Sequence, residues 1–422
     1  MVCVMNVISI FVVLGSVVRG QVEVAKDDNI EHFALLCRIY NVAKNPPINH
    51  VDMKEGHYIV KEIDTLNKSL LEEERLYEKE DAGNFGDPSQ TDRNGRNSTR
   101  PTQPQSNHPA GSHNYGGYYK KNVPNEIQEA KAEFAQVIFG ENENESDLDQ
   151  GALKEVTGRA HACGDSGLTT RGNSAGKNLV VDFFCLCAQR QDGQGAKQVC
   201  GFYVGRIYEN GLLGWNESHP IGSATMWASI KGGCGKHMQQ HPKSTAEARH
   251  ILDQFLKHLK TGGVYRWGAG DKVEGSERRE GMLGTGVGKN ENSGNGPVCN
   301  GKKGGKPPSS PGGVCIYYGP KSDNWEEKIE WMKKFKTALA SVDYVNNKTA
   351  NIQRSTRKLQ MLLQRAEEIY ETAKVISEVQ NPVGLPAAFQ NTSGNLTTYN
   401  ATRTRSYSPY PHFMPLWALL LL

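Results

Sequence analysis

The sequence predicts a mainly α-helical, elongated fold: a bundle built on a long antiparallel helical hairpin or coiled coil, with disulfide-stapled loops and short strands in its middle and distal parts. Three observations lead there. Val345, Ile352, Leu359, Ala366 and Ala373 recur at heptad spacing, and Leu362, Ile369 and Ile376 follow at an offset of three, which is the seam of a coiled coil. The cysteines crowd into the middle of the chain rather than into this helical part. Mean hydropathy is −0.59, low for a compact globule and suited to a body with much surface per residue.

Residues 1–20 form an apolar stretch that ends in small residues at Val18 and Gly20, the layout of a secretory signal peptide, although no Lys or Arg precedes it. The ectodomain is then expected over residues 21–380. Residues 27–43 open with acidic residues and place Ile30, Phe33, Ala34 and Cys37 on one helical face before Pro46-Pro47 stops the helix. In residues 53–80, Ile59, Ile63, Leu66 and Leu70 step by three or four along a second, amphipathic helix.

Residues 81–121 turn to Gly, Asn, Ser, Pro and Tyr without periodicity and read as an exposed loop. PNEIQEAKAEFAQVIFG follows, with Pro124 at the entry, Gly140 at the exit and Ile127, Ala130, Phe134 and Ile138 as its buried stripe. Between residues 158 and 235, apolar runs such as LVVDFF and GFYV look like short strands or loops held by disulfides. TAEARHILDQFLKHLK is a helix closed by Gly262-Gly263, and the Gly-rich block 264–314 is expected to be a second exposed loop.

The longest element spans residues 325–379, about 80 Å as one helix. The alternative is two shorter helices broken near Asn346-Asn347. Lys348 and Ser355 interrupt its second heptad row. Residues 381–400 are rich in Pro, Gly, Asn and Thr and suit a flexible tether. Residues 401–422 combine a polar spacer with the tail FMPLWALLLL, half the length needed to cross a bilayer as a helix of about 20 residues. Preceded by the small triplet Asn400-Ala401-Thr402, this is the layout of a removed glycosylphosphatidylinositol (GPI) attachment signal, with Asn400 as the attachment candidate.

Cysteine usage agrees with secretion. Of nine cysteines, Cys3 leaves with the leader, and Cys37, Cys163, Cys185, Cys187, Cys200, Cys234, Cys299 and Cys315 form an even set expected to be disulfide-bonded. Connectivity stays open, except that Cys185 and Cys187 are expected to go to different partners. N-glycosylation sequons stand at Asn67, Asn97, Asn144, Asn216, Asn347, Asn391 and Asn395, with Asn400 in a further one. A charged fraction of 23% and a net charge of +3 give no single-sign field of the kind that draws nucleic acid.

No catalytic or metal site and no cofactor is expected. CGDSG at residues 163–167 resembles the nucleophile loop of trypsin-like proteases, but Leu168 stands where a second Gly belongs and His161 is the only histidine nearby. His237 and His241, with Cys234 just before them, would share a helical face as two zinc ligands. Met238 stands where a zincin has its general-base Glu, and a disulfide is the better use of Cys234. GTGVGK at residues 284–289 lacks the phosphate-loop spacing and reads as a flexible loop. Trp325, Trp331 and Phe335 are read as packing residues.

With these features on one chain, the sequence resembles the trypanosome variant surface glycoproteins, through EHFALLCRIYNVAKNPP (residues 31–47), the PNEIQEAKAEFAQVIFG helix and Cys185-Leu186-Cys187-Ala188. The resemblance implies a GPI-anchored, glycosylated homodimer standing on long helices at the outer face of the plasma membrane. It implies a coat that meets host antibodies and evades them by antigenic variation, without catalysis. The lack of Cys after Cys315 resembles the type without a separate cysteine-rich C-terminal domain. A related helical-bundle receptor for a host serum protein would share most of these features.

Overall fold

The computed structural model describes residues 22–380, except 50–51, 53, 84–116, 142, 209–210, 238–240, 270–271, 290–295 and 305–310. The leader, the tether and the tail lie outside the described residues, as does most of the expected loop 81–121.

The chain is mainly helical, with one small sheet. Helix α1 (Ile30–Lys44) buries residues on almost every side, including Phe33, Leu36, Ile39 and Tyr40. It is therefore an interior helix, and packs against α3 (Gly117–Phe139), α5 (Leu179–Cys187), α6 (Ser223–His237) and α7 (Thr245–Thr261). Asn29, just before it, donates through Nδ2 to Leu186 O at 2.8 Å and Val314 O at 2.7 Å, tying α1 to α5 and to the sheet.

The run LVVDFF, expected as strand or loop, is the start of helix α5, all of whose residues are buried. Asn178 caps it by accepting the Val181 N–H at 2.9 Å. Complete burial removes the helical alternation of polar and apolar residues, so the β-branched and aromatic content alone reads as strand. Its Phe183 ring meets Phe33, Tyr40 and Trp227 edge-on, at centroid distances of 5.6, 6.3 and 6.0 Å. The short helix α4 (Arg159–Cys163) precedes it, and the hairpin of β1 (Arg206–Tyr208) and β2 (Gly211–Leu213) follows.

The Gly-rich block is a second correction. It forms β3 (Gly263–Ala269), β4 (Lys272–Arg279), β5 (Met282–Gly288) and β6 (Gly312–Tyr317), in the order β4-β3-β5-β6. β3 and β5 are parallel and the other neighbours antiparallel. β5 and β6 are buried throughout, so GTGVG at residues 284–288 is interior strand rather than flexible loop, with Lys289 exposed just past its end. Its glycines serve close approach: a Cβ on Gly284, at φ +91°, would stand 2.5 Å from Val314 O.

The longest helix begins after the short α8 (Trp325–Lys328). The break falls at Ile329, extended at φ −82° and ψ 105°, and α9 (Glu330–Gln380) then passes Asn346 and Asn347 uninterrupted. At 51 residues it is about 75 Å long. α3 runs antiparallel to it: Phe134 packs on Phe335 at 5.4 Å, and the Lys348 ammonium meets Glu126 Oε1 at 2.5 Å. α3 begins earlier than its Pro124 suggested and carries that proline inside it. The approach to α2 (Glu55–Gly83) instead follows α9 in the same direction: Asn346 bonds Pro47 O and the Asn49 N–H, and farther along Gln360 Nε2 donates to Glu55 Oε1 at 2.6 Å.

Phe335 is buried against Phe134 of α3, so Phe335→Ala should lower the unfolding free energy by about 3–5 kcal/mol in urea titration.

Candidate functional site: the stapled head and the open seam of the long helix

Two arrangements bear on function: a head fixed by disulfides and buried polar groups, and a long helix with an uncovered face. The structure pairs Cys37 with Cys234, Cys163 with Cys185, Cys187 with Cys200 and Cys299 with Cys315. Cys185 and Cys187 thus go to different partners. α1 is fastened to α6, and α5 at its C-terminal turn both to α4 and to the loop after it. The last bridge fastens β6 to the segment before it.

Sequence reasoning missed the polar groups at the centre of this head. Asp182, wholly buried in α5, accepts the Gly176 N–H on Oδ1 at 2.8 Å, and the Tyr318 hydroxyl and Trp331 Nε1–H on Oδ2 at 2.7 Å each. Burial raises its pKa to about 7, against the lowering effect of these three donors. A lone carboxylate inside LVVDFF was the available signal. Arg159 is also buried, and its guanidinium donates to Trp215 O at 2.9 Å, Ala188 O at 2.8 Å and Cys185 O at 3.3 Å. It neutralises the carbonyl end of α5, a favourable place for a cation. Burial pushes its pKa down to about 9.

The heptad rows of α9 have different fates. Of the first row, Val345 and Ile352 are 1% and 7% exposed, and Leu359, Ala366 and Ala373 are half-buried. Of the second, Leu362, Ile369 and Ile376 are 56%, 54% and 51% exposed. Met361 and Val375 widen this open stripe. The chain therefore covers the first row fully only as far as Ile352, shelters it in part beyond that, and leaves the second exposed.

The remaining sequence candidates are dispersed. Asn67, Asn144 and Asn347 are exposed, whereas Asn216 is half-buried with Oδ1 accepting the Gln191 N–H at 2.7 Å. Asn97, Asn391, Asn395 and Asn400 lie outside the described residues. Ser166 is exposed, and the nearby His161 ring faces Asp165 at 3.3 Å. His237 ends α6, His241 meets Asn41 Oδ1 at 2.9 Å, and Cys234 is in its disulfide. Trp325 and Trp331 are interior, each with its indole N–H bonded. Among the described residues, no His, Cys, Asp and Glu cluster with metal-binding geometry occurs, and no helix is long and apolar enough to cross a membrane.

The family model of the trypanosomal VSG domain matches residues 113–361, more than half of the chain. The chain belongs to the trypanosome variant surface glycoproteins. The match takes in α3 to α8, the sheet and α9 as far as the start of its open stripe, while α1 and α2 precede it. The chain is also similar to the variant surface glycoprotein YnAT 1.3 of Trypanosoma congolense, at 28% identity over 258 residues. That alignment covers 60% of this chain and 54% of the relative, so this variant surface glycoprotein spans about half the length of the curated relative it matches.

Asp182→Asn should destabilise the glycoprotein by about 1–3 kcal/mol, because either orientation of the amide turns its NH2 toward an N–H, of Gly176 or of Trp331. Its pH dependence has a definite sign. A carboxyl raised from 3.8 to about 7 on folding contributes stability at low pH that is lost as pH rises through about 7. Urea midpoints measured from pH 4 to 8 should therefore show the gap between wild type and variant narrowing as pH rises.

Proposed function

We propose that this chain is a GPI-anchored surface coat glycoprotein that shields the trypanosome cell and, by exchange among variants, evades host antibodies. The observation that carries this reading is the family match from α3 through the sheet and most of the long helix. In it, residues 1–20 are the leader, 21–380 the ectodomain, 381–400 a membrane-proximal tether and 401–422 a signal exchanged for lipid at Asn400. The function is steric and antigenic: the head is held stiff by four disulfides and presented at one end of a helix about 75 Å long. Exposed sequons at Asn67, Asn144 and Asn347 would carry sugars that thicken the shield.

The bare row of α9 supports a homodimer. A heptad row of Leu362, Ile369 and Ile376 left in water is costly, and a second copy presenting the same row covers it by two-fold symmetry. The double change Leu362→Glu and Ile369→Glu should convert a dimer into a folded monomer, read by light scattering with circular dichroism unchanged. A wild-type chain that is already monomeric at micromolar concentration would remove this part of the reading.

Treatment of intact cells with a phosphatidylinositol-specific phospholipase C should release the protein in soluble form. Retention in the membrane after complete digestion would count against the lipid anchor.

A further inference from the structure

The head contains a cleft of ≈ 370 Å³ between α1 and the last turn of α7, next to β4. α7 starts beside Asp343, to which Thr245 bonds at 2.5 Å, and reaches Trp331 by Phe255, at 5.0 Å between rings. Its final turn, and the cleft with it, therefore lies beyond the head-side end of α9, remote from the open seam.

The lining is predominantly cationic. Arg38 from α1, Lys257 from α7 and Arg278 from β4 face the cleft, and among the described residues none of them forms a salt bridge. Arg38 donates to Gln254 Oε1 at 2.6 Å and Arg278 to Gly262 O at 3.2 Å, so both are positioned by neutral acceptors rather than by ion pairs, and Glu31 acts on Arg38 only as a nearby charge. The one carboxylate of the lining, Glu31, is turned to His258 Nε2 at 3.1 Å. The carbonyl end of α7, which would repel an anion, is already in use: Gly262 N–H donates to His258 O and Gly281 N–H to Leu259 O.

His32 supplies the second observation. The Gly284 N–H donates to its Nδ1 at 3.2 Å, which fixes the ring proton on Nε2. Burial lowers its pKa to about 4, Glu31 opposing the fall and His258 and Arg278 adding to it, so the ring is a neutral donor at physiological pH. This side chain is buried and lines the cleft, and among the described residues its Nε2–H makes no hydrogen bond to the protein, yet it is not sealed from water and so stays open to the cleft. A neutral donor and three exposed cations from three different elements converge on one space, where a multiply charged oxyanion would meet all of them together.

We propose that this cleft binds a phosphate or sulfate group, with Arg38, Lys257 and Arg278 supplying the charge and His32 Nε2–H a neutral hydrogen bond. The inference stands apart from the coat reading, since it rests on the cleft alone. The test is isothermal titration of the purified full-length chain at pH 7 and constant ionic strength with inorganic phosphate, inorganic sulfate and, as the singly charged control, acetate. Saturable binding of phosphate or sulfate at one site per chain is expected, with acetate at least tenfold weaker; comparison of the first two distinguishes a phosphate from a sulfate site. The double variant Lys257→Gln and Arg278→Gln should weaken binding at least tenfold with an unchanged thermal midpoint, whereas Lys260→Gln, on the same helix outside the cleft, should leave it unaltered. No saturable binding of either ion, or equal binding by the double variant, would overturn the proposal.

Discussion

The buried carboxylate of Asp182 is the contact through which the head and the long helix share one frame. Its two oxygens take hydrogen bonds from the loop before α5, from the residue after β6 and from the first turn of α9. Each of those donors is itself inside, so the direction in which α9 leaves the head is set by bonds that water cannot replace. The arrangement concentrates polar chemistry where packing is densest: Phe255 lies edge-on to both Tyr318 and Trp331, and closes the site from the α7 side. A buried ionisable group costs stability unless its neighbours satisfy it, and here three donors do so.

From this fixed point the division of labour along the molecule follows. The head has more to order than its helices alone provide, because many of its segments are turns and short elements whose conformational entropy must be offset. Disulfides that join α1 to α6, α4 to α5 and β6 to its neighbour reduce that entropy in the unfolded chain. The lower part of α9 has no such help. It relies on helix packing along one heptad row, and its second row is exposed. The stapled head is thus distant from the uncovered stripe, so the rigid part of the molecule and its exposed apolar row lie at different ends.

Much of this was legible in the sequence, for identifiable reasons. α7 was legible as TAEARHILDQFLKHLK closed by Gly262-Gly263, and the structure adds a start at Ser244, whose side chain accepts the Glu247 N–H while Glu247 reaches back to Lys243; such caps act locally and need no tertiary context. The unbroken α9 was visible in its heptads, and the exposed second row coincides with the row that Lys348 and Ser355 interrupt higher up. α5 was hidden because total burial erases periodicity. The sheet was hidden because Gly284 and its neighbours read as chain breakers, when their use is to let strands and loops approach without a Cβ. Asp182, Arg159 and the cleft around His32 gather residues from distant parts of the chain, and no local pattern encodes that meeting.

The central claim is that this head and helix are held at a membrane by a lipid that replaces the apolar tail. Mass spectrometry of the C-terminal peptide of the mature protein from cells tests it most directly. The account predicts a peptide ending at Asn400 and bearing the ethanolamine-linked glycan of a GPI anchor, with nothing recovered from residues 401–422. An unmodified peptide running through Leu422 would contradict it.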